Sequence, residues 1–197
     1  MTFGISRLAT IIAEFCATHT QITVEMQLSD QRVDLISDGF DLAVRIGNLQ
    51  PSGLIARKVA IYEFAVCASP AFLAVNPEPR TPAALASARC ILNLNIAPRT
   101  SWTFYGPGGG EPVVAEVSGA LQINNNEAQR AAALAGAGIV YLPLELISSD
   151  ITAGRLVPIL TQWRTMTLPI SIVYPSRRYL PRRIAALMDV IAEKLAR

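Results

Sequence analysis

The chain has 197 residues, 51% hydrophobic and only 16% charged, with a formal net charge of +2 and a mean hydropathy of +0.36. A chain of this length makes one large domain or two small lobes and buries about 70% of the surface it exposes when unfolded, which excludes disorder. The uncharged stretch Ala131 to Leu144 is broken by Gly136, Gly138 and Pro143, and a membrane span needs about 20 apolar residues, so no membrane partner is expected.

Leu8, Ile11, Ile12 and Phe15 recur at helical spacing, which predicts an amphipathic helix over residues 5–18. Ile22, Val24, Met26 and Leu28 alternate with polar residues and predict a strand with one buried face. Asp30 is placed to cap a short helix through Ile36 that stops at Gly39, and Leu42 to Ile46 reads as the next strand, turning at Gly47-Asn48. Strand, helix and strand in that order predict a parallel crossover. Leu54–Ala60 and Tyr62–Ala68 read as two strands, the second broken by Ser69-Pro70.

Thr81-Pro82 opens a short helix with proline at its first position, and Cys90 to Leu94 is strand-like. Trp102–Tyr105 and Val113–Ile123 flank Gly106-Pro107-Gly108-Gly109-Gly110 as antiparallel strands around a loop. No Lys-Ser/Thr and no helix follow those glycines, so they read as a hairpin tip and not a phosphate cradle. Glu127–Ala135 is an alanine-rich helix, with Asn126 and Gln129 spaced like a capping box and Gly136 as its end. Gly138 to Pro143 predicts a short buried strand, Leu144–Ser149 a helix, and Leu156–Leu160 and Pro169–Val173 further strands. Ile184, Leu187, Met188, Ile191 and Leu195 form the stripe of a final helix.

Chemistry-bearing clusters are sparse. Cys16, Cys67 and Cys90 lie far apart, without metal spacing, and read as small buried hydrophobes in a reducing, cytoplasmic setting. His19 is the only histidine, which cannot build a metal site by itself. No nucleophile–base pair, metal cluster or cofactor motif emerges, so no enzyme activity, cofactor or metal is expected. The near-neutral balance gives no electrostatic footprint for nucleic acid. The basic cluster Arg177, Arg178, Arg182 and Arg183 reads as a solvated helix face.

Taken in order, a set of short motifs resembles the effector-binding domain of LysR-type transcriptional regulators. The set begins with Leu28-Ser29-Asp30, Val33-Asp34-Leu35-Ile36 and Gly39-Phe40-Asp41-Leu42-Ala43-Val44-Arg45-Ile46-Gly47. It continues with Cys67-Ala68-Ser69-Pro70-Ala71-Phe72-Leu73, Asn125-Asn126-Glu127-Ala128, and Ala135-Gly136-Ala137-Gly138-Ile139 with Leu142-Pro143. Gly154-Arg155-Leu156-Val157-Pro158-Ile159-Leu160 and Tyr174-Pro175-Ser176-Arg177-Arg178 complete it.

The resemblance implies an α/β, type II periplasmic-binding-protein-like fold: two lobes joined by two crossover strands, with a ligand cleft. Lobe I would be residues 1–69 and 174–197, and lobe II residues 70–173. The family's N-terminal winged helix-turn-helix and linker helix do not occur in these residues, so DNA contact is expected only through that segment. The start at Thr2-Phe3-Gly4, where the family has usually just completed its first strand, is expected to leave a sheet position to be filled. The resemblance also implies a small-molecule effector and a homodimer through this domain, extending to a tetramer at full length.

In open α/β sheets ligands sit beyond strand ends, where helix N-termini offer free N–H groups and a positive dipole end. Thr2, Phe3, Gly47, Asn48, Asn124, Asn125 and Asn126 occupy such places, with Asn93 at the end of a strand. The resemblance adds Tyr141 and Pro143 to this candidate effector site. These residues suit a small carboxylate or other anion with an apolar body. The plainer alternative is that the asparagines only cap and turn. Arg45 and Arg99 are candidate carboxylate partners or surface ion-pair formers. Ligand-responsive regulation is the leading function, and a solute-binding protein of related fold is the alternative.

Overall fold

A computed structural model describes residues 1–31, 33–175 and 180–196. The chain divides into two compact units, Met1–Tyr62 with Leu168–Arg197, and Glu63–Thr167. It crosses from one to the other inside two strands, β2 (Leu54–Ala68) and β10 (Thr167–Pro175), whereas the proline breaks at Ser69-Pro70 and Tyr174-Pro175 lie further along those strands or at their ends.

The first unit opens with a π-type turn, Gly4–Leu8, running into helix α1, Ala9–Thr18. Leu8, Ile11 and Phe15 are buried, as the periodicity requires. Helix α5, Arg182–Leu195, buries Ile184, Met188 and Ile191 along one stripe. It is tied to α1 by Lys194 Nζ donating to Glu14 Oε2 at 2.7 Å. Arg182 and Arg183 are exposed, in keeping with a solvated face; Arg177 and Arg178 lie outside the described residues.

Three expectations for this unit are corrected. Residues 22–27 alternate between half-buried and exposed, but Leu28 is exposed, and 22–28 form no ladder with any described residue. Extended backbone becomes a strand only where a neighbour presents matching N–H and C=O groups. No helix follows Asp30 among the described residues, Arg32 lying outside them. Instead Asp34 Oδ1 accepts the N–H groups of Ile36 and Ser37, closing a turn that Gly39 ends at φ +74°. The local carboxylate bonds satisfy the backbone without a continuing helix. Strand β1, Ala43–Ile46, pairs antiparallel with β10, Val44 opposite Ile172, and not in a parallel crossover.

The second unit holds the parallel pairing. Strand β3 (Arg89–Asn93) runs parallel to β6 (Ser118–Ile123) on one side. On its other side Ile91 N–H donates to Ile139 O at 2.8 Å and Ile139 N–H to Arg89 O at 2.9 Å. Helix α3, Asn126–Leu134, links β6 to β7, Val140–Pro143, whose four residues are all buried. Gly119 and Gly138 stand where backbones nearly touch: a Cβ would collide with the carbonyl oxygens of Cys90 and Arg89 respectively.

β2 is one unbroken strand where two were expected, because β7 and the short β8 (Val157–Pro158) pair with its last residues. The run Val113–Ile123 divides the other way, into β5 (Val113–Glu116) and β6. Between them buried Val117 turns its N–H to Thr100 O at 2.8 Å. β5 pairs antiparallel with β4, Ser101–Tyr105, across the glycine-rich tip as expected. β4 also takes a strand the pattern did not reveal, β9, Arg164–Thr165. Short helix α2 (Pro70–Leu73) and a 3-10 turn (Pro82–Ser87) both begin with proline. Helix α4, Leu144–Thr152, extends past the expected end at Ser149.

Candidate functional site

The α3 start is built from asparagines. Asn125 caps the helix, its Oδ1 accepting the Ala128 N–H at 3.0 Å. Asn93, at the end of β3, donates Nδ2 to Asn126 Oδ1 at 3.0 Å and accepts the Asn95 N–H on its own Oδ1 at 2.9 Å. Asn95 in turn donates Nδ2 to the Asn124 carbonyl at 2.6 Å. Fully buried Gln129, one turn into the helix, donates Nε2 to Ile123 O at 3.1 Å, and its Oε1 has no partner among the described residues. Asn93, Asn124 and Asn126 are thus linked through Asn95 in one hydrogen-bonded cluster, with the Asn125 cap beside it. Asn95 was missed by the sequence reading, and the expected capping box of Asn126 with Gln129 is corrected: the cap is Asn125, and Gln129 bonds the Ile123 carbonyl instead. The alternation Asn93-Leu94-Asn95 at a strand end was the signal for Asn95.

Tyr141 and Pro143 lie in the core of the same unit. The Tyr141 ring packs against Phe64, Trp102 and Phe104, with centroids 5.3 to 6.0 Å apart. Its hydroxyl accepts the Met166 N–H at 2.7 Å and donates to Thr103 O at 3.4 Å. Burial pushes this phenol up to about 12. Pro143 is buried opposite Phe64 in the β2–β7 pairing.

In the first unit Thr2 and Phe3 are both buried at the first helical turn, Phe3 edge-on to Tyr62 at 5.5 Å. Gly47 adopts φ +106°, which favours glycine, and donates its N–H to Pro169 O at 2.9 Å; Asn48 beside it is exposed. Arg45 donates Nη2 to Val33 O at 2.8 Å and so organises its own loop. Arg99 is exposed.

The remaining reactive groups are structural. Burial pushes the thiols of Cys67 and Cys90 up to about 12, while Cys16 is half-buried. His19 stacks on Phe15 at 4.1 Å. Among the described residues no group of three or more His, Cys, Asp or Glu is placed to hold a metal, and no helix is long and apolar enough to cross a membrane.

The sequence profile of the LysR substrate binding domain matches residues 1–196. The chain belongs to that family. Its fold is therefore the type II periplasmic-binding-protein-like one, and the domain is the ligand-binding regulatory part of LysR-type regulators. It is 35% identical over 190 residues to the HTH-type transcriptional regulator PtxR of Pseudomonas aeruginosa, covering 96% of this chain and 60% of that protein. It is 31% identical over 189 residues to the regulator CrgA of Neisseria meningitidis, covering 95% and 62%. The chain thus spans about three-fifths of the length of these curated relatives. The CrgA regulatory domain superposes with a TM-score of 0.84 at 29% identity, over 99% of this chain and 95% of that one. The AphB regulatory domain of Vibrio vulnificus gives 0.76 at 27%, over 96% and 92%.

Proposed function

We propose that this domain senses a small carboxylate or comparable anion on behalf of a LysR-type transcription factor, and that DNA is contacted by a helix-turn-helix segment like those of its relatives. The observation that carries the effector class is the asparagine cluster at the start of α3. A nine-residue helix presents its N–H groups and positive dipole end there, beside amides from two strand ends. A ligand that binds only the native state raises the melting temperature by mass action. The test is a thermal-shift screen of small carboxylates against the unmodified chain, Asn125→Leu, Asn126→Leu and a hairpin-tip control, Gly108→Ala. The asparagine variants should lose most of the ligand-induced shift while the control keeps it. Normal shifts in both asparagine variants would refute the placement.

The same reading includes a homodimer through α1 and α3. Ala131 is exposed and Ala132 half-buried on α3, small enough for close approach by a symmetry-related copy. The proposed setting is the cytoplasm.

A further inference from the structure

We propose that the second unit carries a ligand cavity of its own, distinct from the asparagine cluster, that takes an aromatic carboxylate. A cavity of about 640 Å³ opens among residues of this unit alone. Drug-sized ligands occupy about 300–1,000 Å³. Its walls mix apolar side chains, Phe64, Tyr105, Ile159 and Trp163 among them, with polar ones that include Thr165, Glu63 and Arg164.

Three features set this cavity apart from an ordinary surface hollow. Trp163 buries its indole N–H with no acceptor among the described residues. A buried, unmatched donor costs stability unless something supplies an acceptor. Arg164 lies 6.0 Å from the centre of the Tyr105 ring and forms no ion pair with any described residue. Such an arginine is a ready counter-charge. Leu160, another wall residue, holds φ at +56° although it is not glycine, and its carbonyl accepts the backbone N–H of Trp163 at 2.8 Å. Strain of this kind persists where surrounding structure enforces it, and clusters at ligand sites.

The frame around the cavity is hydrogen-bonded. Thr165 Oγ1 donates to Phe64 O at 2.7 Å, and Tyr141 fixes the Met166 N–H from below. An aromatic carboxylate suits this wall: its ring meets the apolar side chains and its carboxylate pairs with Arg164 beside the Trp163 ring.

The probe is phenylacetate, titrated into the nitrogen-15-labelled chain, with phenylacetamide as its neutral analogue. The two tryptophans give two indole N–H signals, assigned by Trp163→Phe or by Trp102→Phe. The Trp163 signal should shift saturably with phenylacetate. Affinity should fall at least about tenfold for the amide and for Arg164→Gln, as loss of a charge-assisted bond implies. Arg164 is exposed, and an unchanged ligand-free spectrum would verify the variant's fold. No saturable shift at millimolar probe, or unchanged affinity in Arg164→Gln, overturns the proposal. Asn126→Leu separates it from the effector reading: the Trp163 response should survive that change. Its loss would place the probe at the asparagine cluster and refute the cavity alone.

Discussion

Replacing Asp150 should destabilise the second unit more than any other single loss of charge. Its side chain is 0% exposed and is held by two arginines. Arg130 donates Nε and Nη2, the latter at 3.0 Å, and Arg155 donates Nε at 2.8 Å and reaches again with Nη2 at 2.7 Å. Breaking a buried ion pair by removing one partner costs about 3–5 kcal/mol. Arg130 and Arg155 keep 28% and 54% exposure, so water takes over part of their bonding and the loss falls near ~3 kcal/mol for Asp150→Ala. Asp150→Asn retains an acceptor and should cost ~2 kcal/mol. For a chain of this size 3 kcal/mol corresponds to a fall in Tm of roughly 6–12 °C. Both tryptophans belong to the second unit, so urea titration followed by fluorescence reports on it directly. The hydrogen bond from Arg130, then that from Arg155, holds the Asp150 carboxyl below its ordinary 3.8 against the opposing effect of burial. A lowered native value means the unfolded state binds protons first, so this stabilisation is complete above about pH 5 and lost as pH falls through the native value. The unmodified chain should therefore lose more stability between pH 5 and the native titration than Asp150→Asn does. A loss under about 1 kcal/mol for Asp150→Ala, or identical acid profiles, would refute the reasoning.

Gly119→Ala should cost at least about 2 kcal/mol by urea titration, because its Cβ collides with the Cys90 carbonyl. Iodoacetamide at pH 8 should modify Cys16 and leave Cys67 and Cys90 unmodified in the native chain, since their thiols are raised to about 12; mass spectrometry would show a single adduct. Asn125→Ala should lose about 1 kcal/mol with the cap. Light scattering should give twice 21.2 kDa at micromolar concentration, reduced towards monomer by Ala132→Arg; a monomeric unmodified chain would count against the α1–α3 interface.

Helices α3 and α5 were legible in local chemistry, although the same kind of signal at Asp30 and Gly39 predicted a helix where a turn forms. α5 shows its stripe in the spacing of Ile184, Met188 and Ile191, and α3 announces itself by an asparagine cap, an alanine run and a terminal glycine. Strand pairing was not legible, because it depends on partners distant in sequence. Residues 22–28 carry a strand's alternation yet pair with no described residue. The Leu54–Ala68 run looks like two strands until β7 and β8, some seventy or more residues away, are seen against its end. β9 has only two residues, and no periodicity can be read from two.

The candidate site follows the same division. The asparagine run before α3 was readable as a helix start because capping is local, although the cap is Asn125 and not Asn126, whereas the Asn93–Asn126 bond joins a strand end to a helix start across 33 positions. Tyr141 was placed by the family resemblance, and the structure adds what resemblance could not: an aromatic cluster around its ring and two backbone partners for its hydroxyl. That is a structural use for a residue type equally suited to ligand contact, and the two uses differ in what deletion does. Tyr141→Phe removes the acceptor for the Met166 N–H, so it should loosen β9 and the Trp163–Arg164 wall even where no ligand is present. Faster amide exchange at Met166 in the ligand-free variant would establish the structural use. Unchanged exchange, with ligand affinity lost, would instead return Tyr141 to the effector site.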